Sequence, residues 1–285
     1  MKQEETNIRY KYARAYIPNA VFYIPFGYYF AVRLGTIPKL LSWMLIYLMP
    51  TAFYSAVGYN GSWELFALNY LLILVATFSI YEYGYIFNDT VTIHQEQQPA
   101  IRLYVYNTQH FYKWRPLIIT SRFLYASIAL CTLYYLNSFA ASSIAISLVV
   151  MSTLFAIYNN WRSRYNVWIY PLLVCSRYVP FMLLGEQNWL LYALLFVSFP
   201  LLNALERFSM PKYRWPLMRR IIPNEETKTR FRVCYYLIAL AIICLVLYLN
   251  GRSLILVIPI CILTIYRLSL LFWLKRYTPQ NYLNG

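Results

Sequence analysis

Runs of about twenty apolar residues recur along this chain, each long enough to carry a helix across roughly 30 Å of hydrocarbon. They predict spans at about 40–58, 65–87, 116–136, 138–158, 167–184, 233–249 and 254–274, with another running from the turn at 185–188 to about 206. Backbone N–H and C=O groups in lipid must bond within their own segment or close a barrel. Successive runs of this length therefore predict an all-α, polytopic transmembrane helical bundle. Composition points the same way. Of 285 residues, 60% are apolar and 12% are charged, where a soluble domain would carry about 25% charge.

A formal net charge of +15 raises the possibility of nucleic acid as a partner, but the basic residues sit in the loops between spans. Loops rich in Lys and Arg alternate with loops that nearly lack them, the pattern of a positive-inside topology. On that rule the two long polar loops and the C-terminus face the cytoplasm of an integral membrane protein in the cell (inner) membrane. Nucleic acid is excluded as a partner, and nothing points to an obligate protein partner. The 31 tyrosines and eight tryptophans suit interfacial belts. Five cysteines without C-x-x-C spacing read as free thiols in apolar surroundings.

The whole chain, 1–285, reads as one transmembrane domain, with a polar and interfacial N-terminal segment at 1–39 and the helical bundle at 40–276. The stretch at 15–33 is aromatic and interrupted by Pro18 and Pro25. It either spans, giving nine helices, or lies in the interface beside eight. The charge rule favours eight, because a ninth span would put the basic N-terminus outside. No cleavable signal is expected, since the first residues are too polar.

The chemistry concentrates at 82–103, EYGYIFNDTVTIHQEQQPAIRL. Continued as a helix, this stretch aligns Asp89, Thr92 and Glu96 at i, i+3 and i+7, within about 60° of one another. Glu82, seven residues earlier, extends the same column into the membrane. Oxygen ligands at a helix end, beside Arg102, suit a metal bound to a phosphorylated ligand. A carboxylate in a span is expensive and faces a partner or a cavity. Glu82 is therefore expected either to pair with Arg177, itself mid-span, or to line a polar pocket with it. At the start of the second long loop, Asn203 and Glu206 share a helical face and mirror the first cluster.

Asn88-Asp89, oxygen-bearing side chains at i+3 and i+7, and then Pro99 and Arg102 resemble the first motif of the UbiA superfamily of intramembrane prenyltransferases. That motif reads N-D-x-x-D-x-x-x-D before a basic segment; here Thr92 and Glu96 replace its second and third aspartates. Asn203, Glu206 and Lys212 stand where the family carries its second motif of D-x-x-x-D type, without an aspartate. Arg162 and Arg164 resemble the family's basic turn between the two motifs. The resemblance covers about 36–276. It implies a UbiA-like bundle and a Mg²⁺-dependent transfer from a polyprenyl diphosphate at the cytoplasmic mouth. Asp89, Glu96 and Glu206 would be the catalytic and Mg²⁺-holding carboxylates. Asn88, Arg102, Arg162, Arg164, Asn203 and Lys212 would bind substrate, with Glu82 and Arg177 deeper. A related branch uses polyprenyl phosphate as acceptor for phosphoribose and shares the Pro-x-x-Arg element, which makes it the second expectation. A third is a non-catalytic isoprenoid-lipid binder or transporter, which the missing aspartates favour.

Overall fold

A computed structural model describes residues 17–95, 101–161, 165–213 and 215–277. All regular structure among them is helical. Six helices are long and apolar enough to cross a membrane: α1 (Ile37–Val57), α2 (Trp63–Thr90), α3 (Val105–Leu136), α4 (Ser138–Asn160), and two near the C-terminus at Glu226–Leu249 and Leu254–Trp273. Between α4 and the C-terminal pair lie α5 (Asn166–Ser176), α6 (Val179–Met182), α7 (Trp189–Ser198), α8 (Pro200–Phe208) and α9 (Pro216–Ile221). The last two helices are α10 (Glu225–Leu249) and α11 (Ile258–Tyr277). Joined across a 44° bend, α7 and α8 make a seventh apolar unit. The expected span at 167–184 is broken where Arg177 and Tyr178 leave the helix between α5 and α6.

Helix α2 is the axis of the bundle. Ser62 caps it by accepting the Leu65 N–H at 3.3 Å, and its 28 residues extend about 42 Å. It packs most extensively against α3 and also against α4. The approach to α4 is close at Gly84, where a Cβ would meet the Phe155 ring at 2.5 Å, so only glycine fits. The helix stops at Thr90, before the run Thr90-Val91-Thr92-Ile93, whose β-branched side chains disfavour helix. Thr92 opens a 3₁₀ turn, Thr92–Gln95. The α-helical column expected from Asp89 to Glu96 is therefore interrupted, and Glu96 itself lies outside the described residues.

Helix α3 begins at Val105, well before its expected span, and kinks at Trp114 just ahead of Pro116. A proline ring removes one backbone bond and crowds the preceding turn, which accounts for the break.

Residues 17–34 form neither a continuous helix nor a surface ribbon. A 3₁₀ turn (Asn19–Phe22) and a π-helix (Tyr29–Leu34) fold into the bundle, burying Phe22, Tyr28 and Val32. Between them Phe26 takes φ 68°, a costly conformation for a bulky residue. Two contacts offset it: its N–H donates to Glu82 Oε2 at 2.7 Å, and its ring stacks on Phe78 with centroids 4.7 Å apart.

Candidate functional site

Two carboxylates project from α2 into the packed interior, and each has recruited arginine. Glu82 is fully buried. It accepts the backbone N–H of Phe26 and of Tyr29, each at 2.7 Å, and pairs with Arg122 of α3. Arg122 in turn donates to the carbonyls of Phe22 at 2.9 Å and Val21 at 3.0 Å. Of the two expectations for Glu82, a pair with Arg177 or a polar pocket shared with it, neither holds: its partner is Arg122. Arg122 is the lone charge in the apolar run at 116–136. That isolation was a legible sign of a buried partner.

Asp89, two turns on, sits at the end of α2 with its side chain enclosed. Oδ2 accepts from Tyr28 at 2.7 Å and Arg33 at 2.6 Å; Oδ1 accepts from Arg102 at 3.1 Å and Asn88 at 3.3 Å. Burial, and then the Asp89 charge, push the Tyr28 phenol well above its usual pKa, so it stays protonated and donates. Arg33 also lies over the Tyr85 ring at 4.3 Å. Thr92 bonds back to the Asn88 side chain at 3.3 Å, tying the residue in the second-aspartate position to the motif's first residue. The sequence motif thus closes on itself, with Arg102 bonded to Asp89. Arg33 and Tyr28 come from the N-terminal segment, which no motif spacing would have singled out.

The second cluster is separate in its partners. Glu206 on α8 receives a bidentate fork from Arg232 of α10, with Nε–Oε1 at 2.5 Å and Nη2–Oε2 at 2.8 Å. Asn203 is half-buried one turn earlier, and Lys212 lies in the turn Pro211–Tyr213. Among the described residues no side chain bonds both Asp89 and Glu206. Arg162, Arg164 and Glu96 fall outside the described residues.

Arg177 sits deep in the bundle at 8% exposure, surrounded by rings. Its guanidinium carbon is 5.2 Å from the Tyr47 centroid, 5.5 Å from Tyr81, 5.1 Å from Tyr178 and 5.9 Å from Phe199. Nη1 donates to Tyr81 at 3.1 Å and Nη2 to Tyr178 at 3.3 Å.

These donor sets bear directly on magnesium. A divalent cation on Asp89 would have to displace Arg102 or Arg33 and then sit beside the displaced charge. On Glu206 it would compete with a bidentate guanidinium, the strongest form of that contact. Among the described residues no group of three His, Cys, Asp or Glu side chains converges as a metal site. Asp89 and Glu206 as arranged do not fit the role of Mg²⁺ ligands expected for them.

Beside the Glu82 pair a cavity of about 210 Å³ opens between α2, α3 and α4. Ile80, Gly84, Phe87, Phe123 and Phe155 give it an apolar wall, to which Arg122, Ser152, Asn159 and Asn160 add polar groups. A wall of this kind suits an apolar group. Set against known proteins, the chain matches no family model, no curated protein and no solved structure.

Proposed function

We propose that this chain is a UbiA-like integral membrane transferase acting on a polyprenyl diphosphate. In this reading eight spans cross the inner membrane and the motif loops face the cytoplasm. The observation that carries it is the Asp89 cluster. Of the residues that resemble the superfamily's first motif, Asp89 at the end of α2 bonds both Asn88 and Arg102. The apolar slot between α2, α3 and α4 supplies a berth for an isoprenoid chain.

The chemistry follows from charge. Transfer of a prenyl group leaves diphosphate, whose developing negative charge needs fixed positive partners. Arg33 and Arg102 are such partners, and Asp89 holds both guanidinia in place while they wait. An incoming diphosphate offers more charge than one carboxylate and draws Arg102, the more exposed of the two, onto itself. Asn88 and Thr92 hold the end of α2 in register. No step here requires a metal on Asp89.

The non-catalytic reading has one observation in its favour. The two motif carboxylates among the described residues, Asp89 and Glu206, are already paired with arginine, which suits a protein that binds a lipid phosphate without turning it over. One experiment separates the two. Purified protein is given a radiolabelled polyprenyl diphosphate with candidate acceptors, and release of diphosphate is followed for wild type and Asp89→Asn. Release that falls about 10²–10³-fold in the variant supports transfer. Tight binding with no release by wild type under any acceptor would leave the binding reading in its place.

A further inference from the structure

Among the described residues, the buried and half-buried arginines divide into those that face a carboxylate and those that do not. Arg33, Arg102, Arg122 and Arg232 each have one. Of those with none within 4.0 Å, Arg177 and Arg207 are caged by tyrosines, whereas Arg267 lies over the single ring of Tyr266. Arg207 of α8 donates from Nη2 to the Tyr158 hydroxyl at 2.7 Å and from Nη1 to Met210 Sδ at 3.3 Å. Its guanidinium lies 4.5 Å from the Tyr170 centroid and 5.7 Å from that of Tyr213. In each arginine the Nε–H is buried and has no acceptor.

Aromatic faces stabilise a guanidinium but do not cancel its charge. A cation enclosed in a low-dielectric bundle is costly until a counter-charge joins it. The two arginines also belong to one neighbourhood. Tyr170, the ring beneath Arg207, lies on α5 about two turns before Arg177, and Phe199, beside Arg177, caps α8 about two turns before Arg207. From Arg177 the hydroxyls run on through Tyr81 to Tyr85, 2.8 Å apart, and Tyr85 is the ring under Arg33. Tyrosine hydroxyls thus run from Arg177 to Tyr85, whose ring underlies Arg33, while Arg207 has the Tyr158 hydroxyl and the Tyr170 ring of its own.

We infer that Arg177 and Arg207 form a phosphate-binding subsite that needs no metal, in which their idle Nε–H groups and the neighbouring tyrosine hydroxyls bond the oxygens of a phosphate or diphosphate. Guanidinium matches phosphate geometry through paired N–H donors, and Arg177 arrives with a weakly hydrated charge already stripped of water. The inference deepens the proposed function by naming what the inner cations bind, and it rests on that reading only for the lipid attached to the phosphate. The anion itself is tested without turnover.

The test uses the full chain, purified in detergent with EDTA present, and follows thermal unfolding as inorganic diphosphate is added. Wild type should gain about 5 °C or more when the ligand is a hundredfold above Kd. Arg177→Met and Arg207→Met should each weaken Kd at least tenfold, whereas Arg252→Ala, in an exposed turn, should leave it unchanged. If Arg177→Met fails to fold, Arg207→Met and Arg177→Lys carry the result. Lys keeps the charge but loses the paired donors, so it should bind measurably and more weakly. Farnesyl diphosphate in a parallel titration separates the sources: tighter binding than inorganic diphosphate assigns a lipid head, equal binding a free anion. No shift in wild type, or an unchanged Kd in Arg207→Met, overturns the subsite. Protein that binds diphosphate through Arg177 yet never releases it from a prenyl donor defeats the transferase reading alone.

Discussion

Glu82 and Asp89 stand two turns apart on α2, carry the same charge and both pair with arginine, yet their surroundings differ in kind. Glu82 spends its oxygens on the backbone of Phe26 and Tyr29 and on Arg122. Neither side chain of that pair exceeds 1% exposure. Asp89 bonds side chains instead, and its two arginines are 18% and 34% exposed. The first arrangement is a fastener: it fixes residues 17–34 to the bundle and stabilises the positive φ of Phe26. The second is open on one side, so a competing anion can reach the same arginines. A buried acid–arginine pair indicates structure or function according to what else the acid bonds and whether the arginine can leave.

The largest effect should therefore come from Glu82. Glu82→Ala leaves Arg122 charged and enclosed, a loss of roughly 3–5 kcal/mol, and frees two backbone N–H groups. We expect the variant to express poorly or to unfold far below wild type. The double variant Glu82→Met with Arg122→Leu removes both charges, and should recover part of that stability but not the N-terminal clamp. Limited proteolysis would then cut within 17–34 while sparing α2. Equal thermal stability of Glu82→Ala and wild type would erase the contrast with Asp89.

Asp89→Asn should behave in the opposite way. Arg33 and Arg102 can turn toward water, and Asn still offers one acceptor, so the stability loss should be about 1–2 kcal/mol. Diphosphate release should suffer far more than folding. Arg102→Met, which removes the cation and keeps the length, should weaken diphosphate binding more than it lowers the melting temperature. If Asp89→Asn unfolds as badly as Glu82→Ala, the two acids play one structural role.

Much of this was legible beforehand, and the exceptions have physical reasons. Apolar run length alone gave the all-helical bundle, because lipid leaves the backbone few alternatives. The contact between Asp89 and Arg102 was prefigured by the motif. Arg33 and Tyr28 were not, since their approach to Asp89 is set by the fold of 17–34, a segment with no helical period. The partner of Glu82 was not legible, because the expected spans hold three arginines, Arg122, Arg177 and Arg267, and sequence carries no depth or azimuth to choose among them. The column to Glu96 assumed a helix that β-branched residues end at Thr90.

The smallest expected effect is at Glu206, where the comparison is sharpest about metal. Its carboxylate takes a bidentate fork from Arg232, and both side chains retain some exposure, 13% and 25% respectively. Partial solvent access screens the pair, so Glu206→Gln should lower stability by roughly 1 kcal/mol or less. Arg232 then keeps one acceptor, and Arg267 nearby loses part of its compensation. If Glu206 were a metal ligand, the same change would raise the Mg²⁺ concentration needed for half-maximal diphosphate release or binding severalfold, because hard divalent ions depend on carboxylate charge. We expect no such shift. A Mg²⁺ titration of wild type beside Glu206→Gln decides it: superimposable curves keep Glu206 as an anchor for Arg232, and a displaced curve would make this arginine-held acid a ligand after all.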